Sequence, residues 1–595
     1  MIDDQIHDAV IVGAGAAGAI TAKKLTEAGL SVLVLEAGPD TPANMSGYDK
    51  HLQNFYTAYA KGPESAWPPS HYAPQADTAD IRHNNGYFVQ HGPDVYGSSY
   101  TRAQGGSTLH WLGVCLRMVP EDFKMKSLFG VGRDWPLDSA ELDAFYSKAE
   151  HEMGVSADAA EQAYHGIRFE QGYDYPMERV PPSYLDNKLA EAVNGKVVSV
   201  GAHSVPLKIR SYPAGRNSVP RGSYVPVGAI DMRNGGPLRD PQMGSRCQGN
   251  TSCTPICPVQ AKYHGGKSLA LANRKHLRIL SRAVASKVNV DTETGLVQSI
   301  SFHRYSDSGH TLHQARGRVF VLAAHAVENA KLMLNSDLGT HTGVIGRNLM
   351  DHPTLYAWGL FPEAVHPYRG PLSTSGVEDL RAGPFRSQHA AFRFDVGNDG
   401  WRAPTGDPDA LVISEIMSKR RFGRALRQEL TSTLSRQVRL SLAVEQLPEP
   451  SNRVTLDRRF LDPLGNPRPA IHYKISDYTL RGMVAARDVS RQLFQHAGVQ
   501  DFSDAGGAKW FPTISYQGQL LAYHGMGHFG GTHIMGSNPK DSVVDALQRC
   551  WGHPNLYLIG SGSFPTMGTS NPTLTIAALA IRTAEHLIKE LGAPA

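Results

Sequence analysis

The stretch Asp8-Ala-Val-Ile-Val-Gly13-Ala-Gly15-Ala-Ala-Gly18 decides how this chain begins to fold. Asp8 to Val12 reads as a short buried strand, and the apolar spacing from Ala17 to Ala28 reads as a helix. Ser31 to Leu35 reads as a second strand and completes a βαβ unit. The three glycines at the strand-to-helix turn match a dinucleotide-binding fingerprint, and that flanking context is what lifts them above a flexible turn. Gly13 permits the tight turn, Gly15 lets backbone approach a pyrophosphate, and Gly18 lets helix pack on strand. The helix N-terminus adds partial positive charge for the phosphates. Glu36, at the end of the second strand, is placed to bind ribose hydroxyls. These glycines alone leave FAD and NAD equally open.

The 595 residues are 41% hydrophobic and 19% charged, with a formal net charge of +4. Such a chain is expected to form two or more connected globular domains, large enough to enclose a cofactor. Its charge is too mild to imply nucleic acid. No run of 18 apolar residues occurs, and Met1-Ile-Asp-Asp leads straight into a strand without a basic or cleavable apolar segment. The expectation is therefore no membrane span and no self-directed export.

No internal repeat or low-complexity linker divides the chain. Residues 39–100, rich in Pro, Gly, Asn, Tyr and His, predict long ordered loops. Helical spacing returns from Ser139 to Met153, with Asp138 as N-cap, and Val319 to Ala323 predicts a buried strand followed by a helix through Leu334. Residues 354–520 read as a separate region, with strands at Ala391 to Phe394, Val438 to Val444 and Arg453 to Leu456 and a helix from Asp477 to Ala497. Strand Leu556 to Ile559 and helix Thr573 to Leu591 close the chain. The fold class expected is α/β: a Rossmann-like nucleotide-binding domain in discontinuous pieces, with an α+β substrate domain built on an antiparallel sheet. Residues 1–353 supply the nucleotide-binding pieces with a cysteine insertion at about 240–265, residues 354–520 mainly the substrate domain, and residues 521–595 the return.

Three of the five cysteines fall in Cys247-Gln-Gly-Asn-Thr-Ser-Cys253-Thr-Pro-Ile-Cys257-Pro258. So few, in odd number and clustered, read better as metal ligands than as a disulfide framework. Thiolates with a proline after the last fit an iron–sulfur centre. Structural zinc, with His264 as fourth ligand, and free thiols are the alternatives; zinc usually spaces its first pair more tightly. Cys115 and Cys550 lack a partner at metal spacing and are expected as buried thiols.

Further motifs carry a resemblance: Gly105-Gly-Ser-Thr-Leu-His110-Trp111, Asp134-Trp-Pro-Leu, Val321-Leu-Ala-Ala-His-Ala-Val-Glu-Asn, Gly346-Arg-Asn-Leu-Met-Asp351-His352-Pro353, His528-Phe-Gly-Gly-Thr-His-Ile-Met-Gly, and Gly560 through Asn571-Pro-Thr-Leu-Thr. In kind and order they resemble the glucose–methanol–choline (GMC) oxidoreductases over most of the chain. The resemblance implies FAD, with Gly105, Gly106, Ser107 and Gly560 joining Gly13, Gly15, Gly18 and Glu36 at the cofactor. Gly92-Pro-Asp, Asp541-Ser-Val-Val-Asp and the cysteine spacing are similar to the large subunits of bacterial fructose, glucose, sorbitol and gluconate dehydrogenases. In that group three such cysteines hold a [3Fe-4S] cluster. The partners implied are a sugar or polyol substrate, a small subunit and a membrane-anchored haem c acceptor subunit. The location implied is the periplasmic side of the bacterial inner membrane, through those partners, with the cytoplasm as the alternative.

Alcohol oxidation by hydride transfer needs a base for the hydroxyl proton, work suited to histidine. His528 matches the family's catalytic histidine, and Asn571 the second catalytic position; Asn571 could also cap the helix after it. The position of His110 resembles a histidine bonded covalently to flavin in pyranose oxidases, although Leu109 replaces the Thr found there. Covalent attachment and simple packing both stay open for His110. Asn348, Asp351 and His352 are expected near the active site or the domain junction, while His524, His533 and Tyr523 could line the sugar cavity or serve as scaffold. The expected activity is a sugar or polyol dehydrogenase passing electrons singly through the cluster. A pyranose-oxidase-like enzyme using dioxygen, a glycoside 3-dehydrogenase and a noncatalytic electron-transfer subunit are the alternatives.

Overall fold

A computed structural model describes residues 5–40, 45–59, 64–78, 86–226, 230–231, 236–237, 244–249, 253–339, 343–405, 408–503 and 511–592. Part of the expected cysteine insertion, including Asn250 to Ser252, lies outside these residues, as does Met1 to Asp4.

The fingerprint folds as its residues require. Strand Ile6–Val12 feeds helix Ala16–Glu27, which returns to strand Val32–Leu35. Gly13 has φ 102°, and a Cβ there would lie 2.5 Å from the Ala323 carbonyl oxygen. A Cβ on Gly18 would meet the Gly13 carbonyl oxygen at 2.0 Å, so helix and strand touch only because both residues are glycine. A Cβ on Gly15 would meet nothing within 4 Å, which leaves that backbone open to a ligand.

Two sheets organise the molecule. The first runs Leu277–Leu280, Val32–Leu35, Ile6–Val12, Gly309–Leu322, Val297–Ser306, Ala283–Val290. Its first four strands are parallel, and Leu556–Leu558 adds in parallel to the C-terminal end of Gly309–Leu322. Val10, Leu33, Val321 and Leu558 are fully buried in its core, as expected for a sheet covered on both faces. Helix Thr573–Leu591 packs beside Ala16–Glu27 and Ser139–Met153 on this sheet. The second sheet is antiparallel, in the order Gln500–Asp501, Pro353–Leu360, Gln437–Val444, Phe392–Gly397, Ser373–Val377, Ile209–Ser211. Helix Asp477–His496 lies across it over a second hydrophobic core.

Three local expectations change. Residues 39–100 include the helix Met45–Thr57, whose Leu52 and Phe55 pack on a small cluster with Trp67, Leu109 and Ile256. The antiparallel sheet also recruits Ile209–Ser211 and His524–Gly525 from outside residues 354–520, because its edges pair with whatever chain passes beside them. Strands Arg453–Leu461 and Pro467–His472 pair with each other, and Pro467–His472 also pairs with Val89–Gln90, in a small sheet of their own.

Candidate active site

A cavity of about 460 Å³ opens above the C-terminal ends of the parallel strands, where ligands of open α/β sheets bind. Gly13, Gly15, Glu36 and Arg102 line it, as do Gly106, Ser107, His110 and Gly560, and also His528 and Asn571. One continuous space thus joins the glycine turn to the two expected catalytic residues. Its fit to a dinucleotide rests on the open backbone at Gly15 and on a Cβ at Gly560 also meeting nothing within 4 Å. The Glu36 carboxylate accepts from the amides of Ala14 and Gly38, both at 2.8 Å, and burial raises its pKa despite these bonds. Gly105, at φ 106°, donates its amide to the Ala14 carbonyl at 2.9 Å and so ties the second glycine turn to the first. The Nε2 of His110 is buried and has no hydrogen-bond partner among the described residues. Burial, helped by the charge of Lys262, lowers the pKa of His110 to about 4 and keeps its ring neutral.

The catalytic corner is best read through its hydrogen-bond polarity. His352 Nε2 lies 2.9 Å from the Gly568 carbonyl oxygen, which can only accept, so Nε2 carries the proton. Burial lowers the His352 pKa to about 4, the ring is neutral, and its Nδ1 holds a lone pair. His528 Nδ1 sits 2.9 Å from His352 Nδ1 and must donate to that lone pair. The remaining nitrogen of His528, Nε2, therefore faces the cavity side as an acceptor. Asn571 Nδ2 donates to Nε2 at 3.3 Å, while Asn571 Oδ1 accepts from Arg393 Nη2 at 2.8 Å, which settles the amide's orientation. Arg393 is clamped by Asp395 Oδ1 at 2.5 Å and the Thr569 carbonyl at 2.7 Å. Burial, then the neighbouring His352 and Arg393, push the His528 pKa well below 6.5.

Asp351 anchors this corner, and its Oδ1 accepts from the amides of His352 at 2.6 Å and His528 at 3.0 Å. Its Oδ2 accepts from the Ser98 hydroxyl. Asp351, His352 and His528 bring three ligand-type atoms within 4.8 Å of one another. Because those atoms already answer donors or each other, they form a positioning network.

The structure separates the other expected residues. Asn571 does not cap helix Thr573–Leu591, whose N-cap is Pro572, since its amide is engaged by Arg393 and His528. His533 bonds Asn329, Tyr523 bonds the Val95 backbone and His524 stacks on Tyr356; none lines the cavity, and all three are scaffold. Asn348 is buried at φ 64° outside the cavity wall. Arg393 went unnoticed in the sequence, although Arg393-Phe-Asp395 in a buried strand places opposite charges on one face. His325, stacked 3.8 Å from Tyr100 and lining the cavity, was also missed.

Cys247, Cys253 and Cys257 lie outside the cavity lining, and Lys262 ties their loop to it by donating to the carbonyls of Cys253 and of Trp111, a cavity residue. Among the described residues they do not gather, with each other or with His264, into three ligand atoms mutually within 4.8 Å. That spacing is unlike a single zinc ion, and His264 instead packs against Gly105. A polynuclear centre needs wider-set thiolates. The chemistry around the thiols suits an anionic group: Arg216, Lys262 and Lys267 are all buried near them. Burial lowers the Lys262 pKa to about 8, against the pull of Cys253 and Cys257. Cys115 and Cys550 are buried thiols, as expected, and burial pushes Cys550 up to about 11.

Two models described as GMC oxidoreductase match residues 238–354 and 448–580, and one described as an NAD(P)-binding Rossmann-like domain matches residues 11–76. The fructose dehydrogenase large subunit of Gluconobacter japonicus is 30% identical, over 98% of this chain and 98% of its own length. Paromamine 6'-oxidase of Streptomyces fradiae is 26% identical over 99% of this chain and 92% of its own. Among solved structures, pyridoxine 4-oxidase from Mesorbium loti shares the fold, with TM-score 0.58 and 17% identity over 98% of this chain and 99% of that one. The fold, the motif order and the first of these relatives together establish that the chain belongs to the GMC oxidoreductase family, whose cofactor is FAD.

Proposed function

We propose that this chain is a dehydrogenase that oxidises a hydroxyl of a sugar or polyol and passes the electrons to a partner protein. The observation carrying this reading is the single cavity that joins the dinucleotide turn to the lone pair on His528 Nε2. Gly13, Gly15, Glu36, Gly106, Ser107 and Gly560 would hold FAD there. Bound FAD would supply a hydride acceptor. His528 Nε2 takes the substrate's hydroxyl proton as general base, and His352 keeps the tautomer that makes this nitrogen basic. Asn571 Nδ2 turns from Nε2 to donate to the substrate oxygen, and Arg393 holds its amide the right way round. The low pKa of His528 keeps it unprotonated across the neutral range, so every molecule is competent to accept.

If FAD is attached covalently, His110 Nε2 is the bonding atom, since it lies buried at the cavity wall with no other partner. Yellow colour retained in acid-precipitated protein tests this. Cys247, Cys253 and Cys257 would hold the [3Fe-4S] centre, which would supply one-electron carriage. A relative named as a large subunit supports a further subunit, and the proposal takes the haem c acceptor and the periplasmic face of the inner membrane from the resemblance of the cysteine stretch. No helix among the described residues is long and apolar enough to cross a membrane.

Anaerobic titration with aldoses, ketoses and polyols, with iron and sulfide analysis of the same protein, tests the proposal. We expect one or more sugars to bleach the flavin absorbance, with about three irons per chain. No bleaching by any of them removes the sugar reading, and iron-free protein removes the relay. The name of the Streptomyces relative favours one second reading, an oxidase using dioxygen. Peroxide equal to the sugar consumed would establish it.

A further inference from the structure

Two buried cations beside the cysteine loop meet no carboxylate among the described residues. Lys262 is 3% exposed and Arg216 is 1% exposed, and among the described residues the hydrogen bonds of both side chains go to backbone carbonyls. They face each other as bridge partners of two antiparallel segments, joined by the Asn217 amide donating to the Ala261 carbonyl at 2.8 Å. The Lys262 ammonium donates to two carbonyls, those of Cys253 and Trp111. The first belongs to an expected ligand of the centre; the second to a residue that lines the FAD cavity, next to His110. Arg216 Nε donates to the Leu112 carbonyl at 3.1 Å, and its Nη1 is buried without a partner. Leu112 lines the same cavity. A third buried cation, Lys267, donates to the Gln260 carbonyl at 2.8 Å.

Burying an uncompensated charge costs several kcal/mol, and carbonyl bonds recover only part of this. The acidic groups that lie beside Lys262 are Cys253 and Cys257, and Arg216 lies beside Cys247. Thiolates on an iron centre would give both cations the negative charge they lack. The potential of such a centre responds to nearby charge and to hydrogen bonding around it.

We propose that Lys262, with Arg216, is a positioning residue for the cysteine centre: it struts the centre against the wall of the FAD cavity and raises its reduction potential. This rests on the iron–sulfur reading of Cys247, Cys253 and Cys257. The couple concerned takes up one electron, with no bond or proton moving, and the fixed cation stabilises the reduced and more negative form. Because one ammonium grips both the ligand loop and Trp111, it also sets the separation across which the electron passes.

The test uses the purified full-length protein with its FAD, comparing wild type, Lys262→Met and Lys262→Arg. The readouts are FAD, iron and sulfide content and a potentiometric titration of the centre by electron paramagnetic resonance. With FAD content unchanged as the sign of a folded chain, Lys262→Met is expected to shift the centre's reduced-to-oxidised ratio at fixed poise about tenfold towards oxidised, which is 59 mV for a one-electron couple. Loss of iron from Lys262→Met, with iron kept by Lys262→Arg, supports the same role. Lys262→Arg is expected to restore most of the shift, because the charge stays. Iron-loaded wild type with an unshifted Lys262→Met variant of equal iron content overturns this inference alone. Iron-free wild type overturns the centre itself, and this inference with it.

Discussion

The corner around His528 lines the cavity, the cysteine loop is tied to the cavity wall only through Lys262 and Trp111, and the two differ in how complete they are. Around His528, each nitrogen and oxygen that sets orientation points at a protein group of the opposite role, from the Gly568 carbonyl through His352, His528 and Asn571 to Arg393 and Asp395. Around Cys253, buried cations meet carbonyl oxygens, and the thiols are not drawn together as ligands of one ion. The first region is preorganised by the protein alone, which is where electrostatic catalysis gains most. The second fits the proposal of a group that the polypeptide cannot supply. On the proposed function, proton handling is built into the fold, while electron handling waits on assembly.

That contrast can be broken in graded steps. Replacing His528 by Ala removes the base, and flavin reduction by sugar in a single anaerobic turnover should fall about 10²- to 10⁴-fold. Arg393→Met frees the Asn571 amide to turn, and loss of a charge-assisted bond of this kind should cost about 10- to 100-fold in the same rate. His352→Leu deletes the acceptor for the Nδ1 proton of His528, so about tenfold is expected, the weight of one hydrogen bond. In that variant the acid limb of the rate profile should stay well below 6.5, because burial is the main cause that holds the His528 pKa down. A rate profile with an acid limb at or above 6.5 in the wild type would contradict the neutral, buried base.

The smallest expected effect is on stability. His110, His352 and His524 are held neutral with pKa values of about 4, chiefly by burial. The unfolded chain binds these protons near 6.5 and the folded chain does not, so their contribution to stability rises with pH from about 4 to 6.5. Thermal unfolding at pH 5 and 6.5 should show a lower midpoint at pH 5, reflecting a loss of stability on the order of 1 kcal/mol for each imidazole. Equal midpoints would mean the rings are solvated.

What the sequence made legible was local. The βαβ turn is written in glycines whose backbone needs are met within a few residues, and the helices Ser139–Met153 and Thr573–Leu591 follow from spacing and caps. His528 and Asn571 were visible as motif members, but the structure alone brings them to one cavity, 43 positions apart in sequence. Arg393 hid because a charge in a buried strand breaks the apolar pattern used to find strands, and its reason lies in Asn571, 178 residues away. His352 was visible without a role, since a tautomer depends on who lies opposite each nitrogen. Helix Met45–Thr57 was hidden in a polar stretch, where tertiary packing of Leu52 and Phe55 supplies what periodicity lacks.

The division of labour is tested most directly by anaerobic stopped-flow on wild type, His528→Ala and Cys253→Ser, following flavin absorbance on mixing with sugar and then acceptor reduction. The expected result is a clean crossing: His528→Ala slows flavin reduction at least about 100-fold, while Cys253→Ser keeps that rate and loses transfer to the acceptor. If both variants slow the same half-reaction, or if neither changes its own, proton and electron handling do not reside in these two regions and the account is wrong.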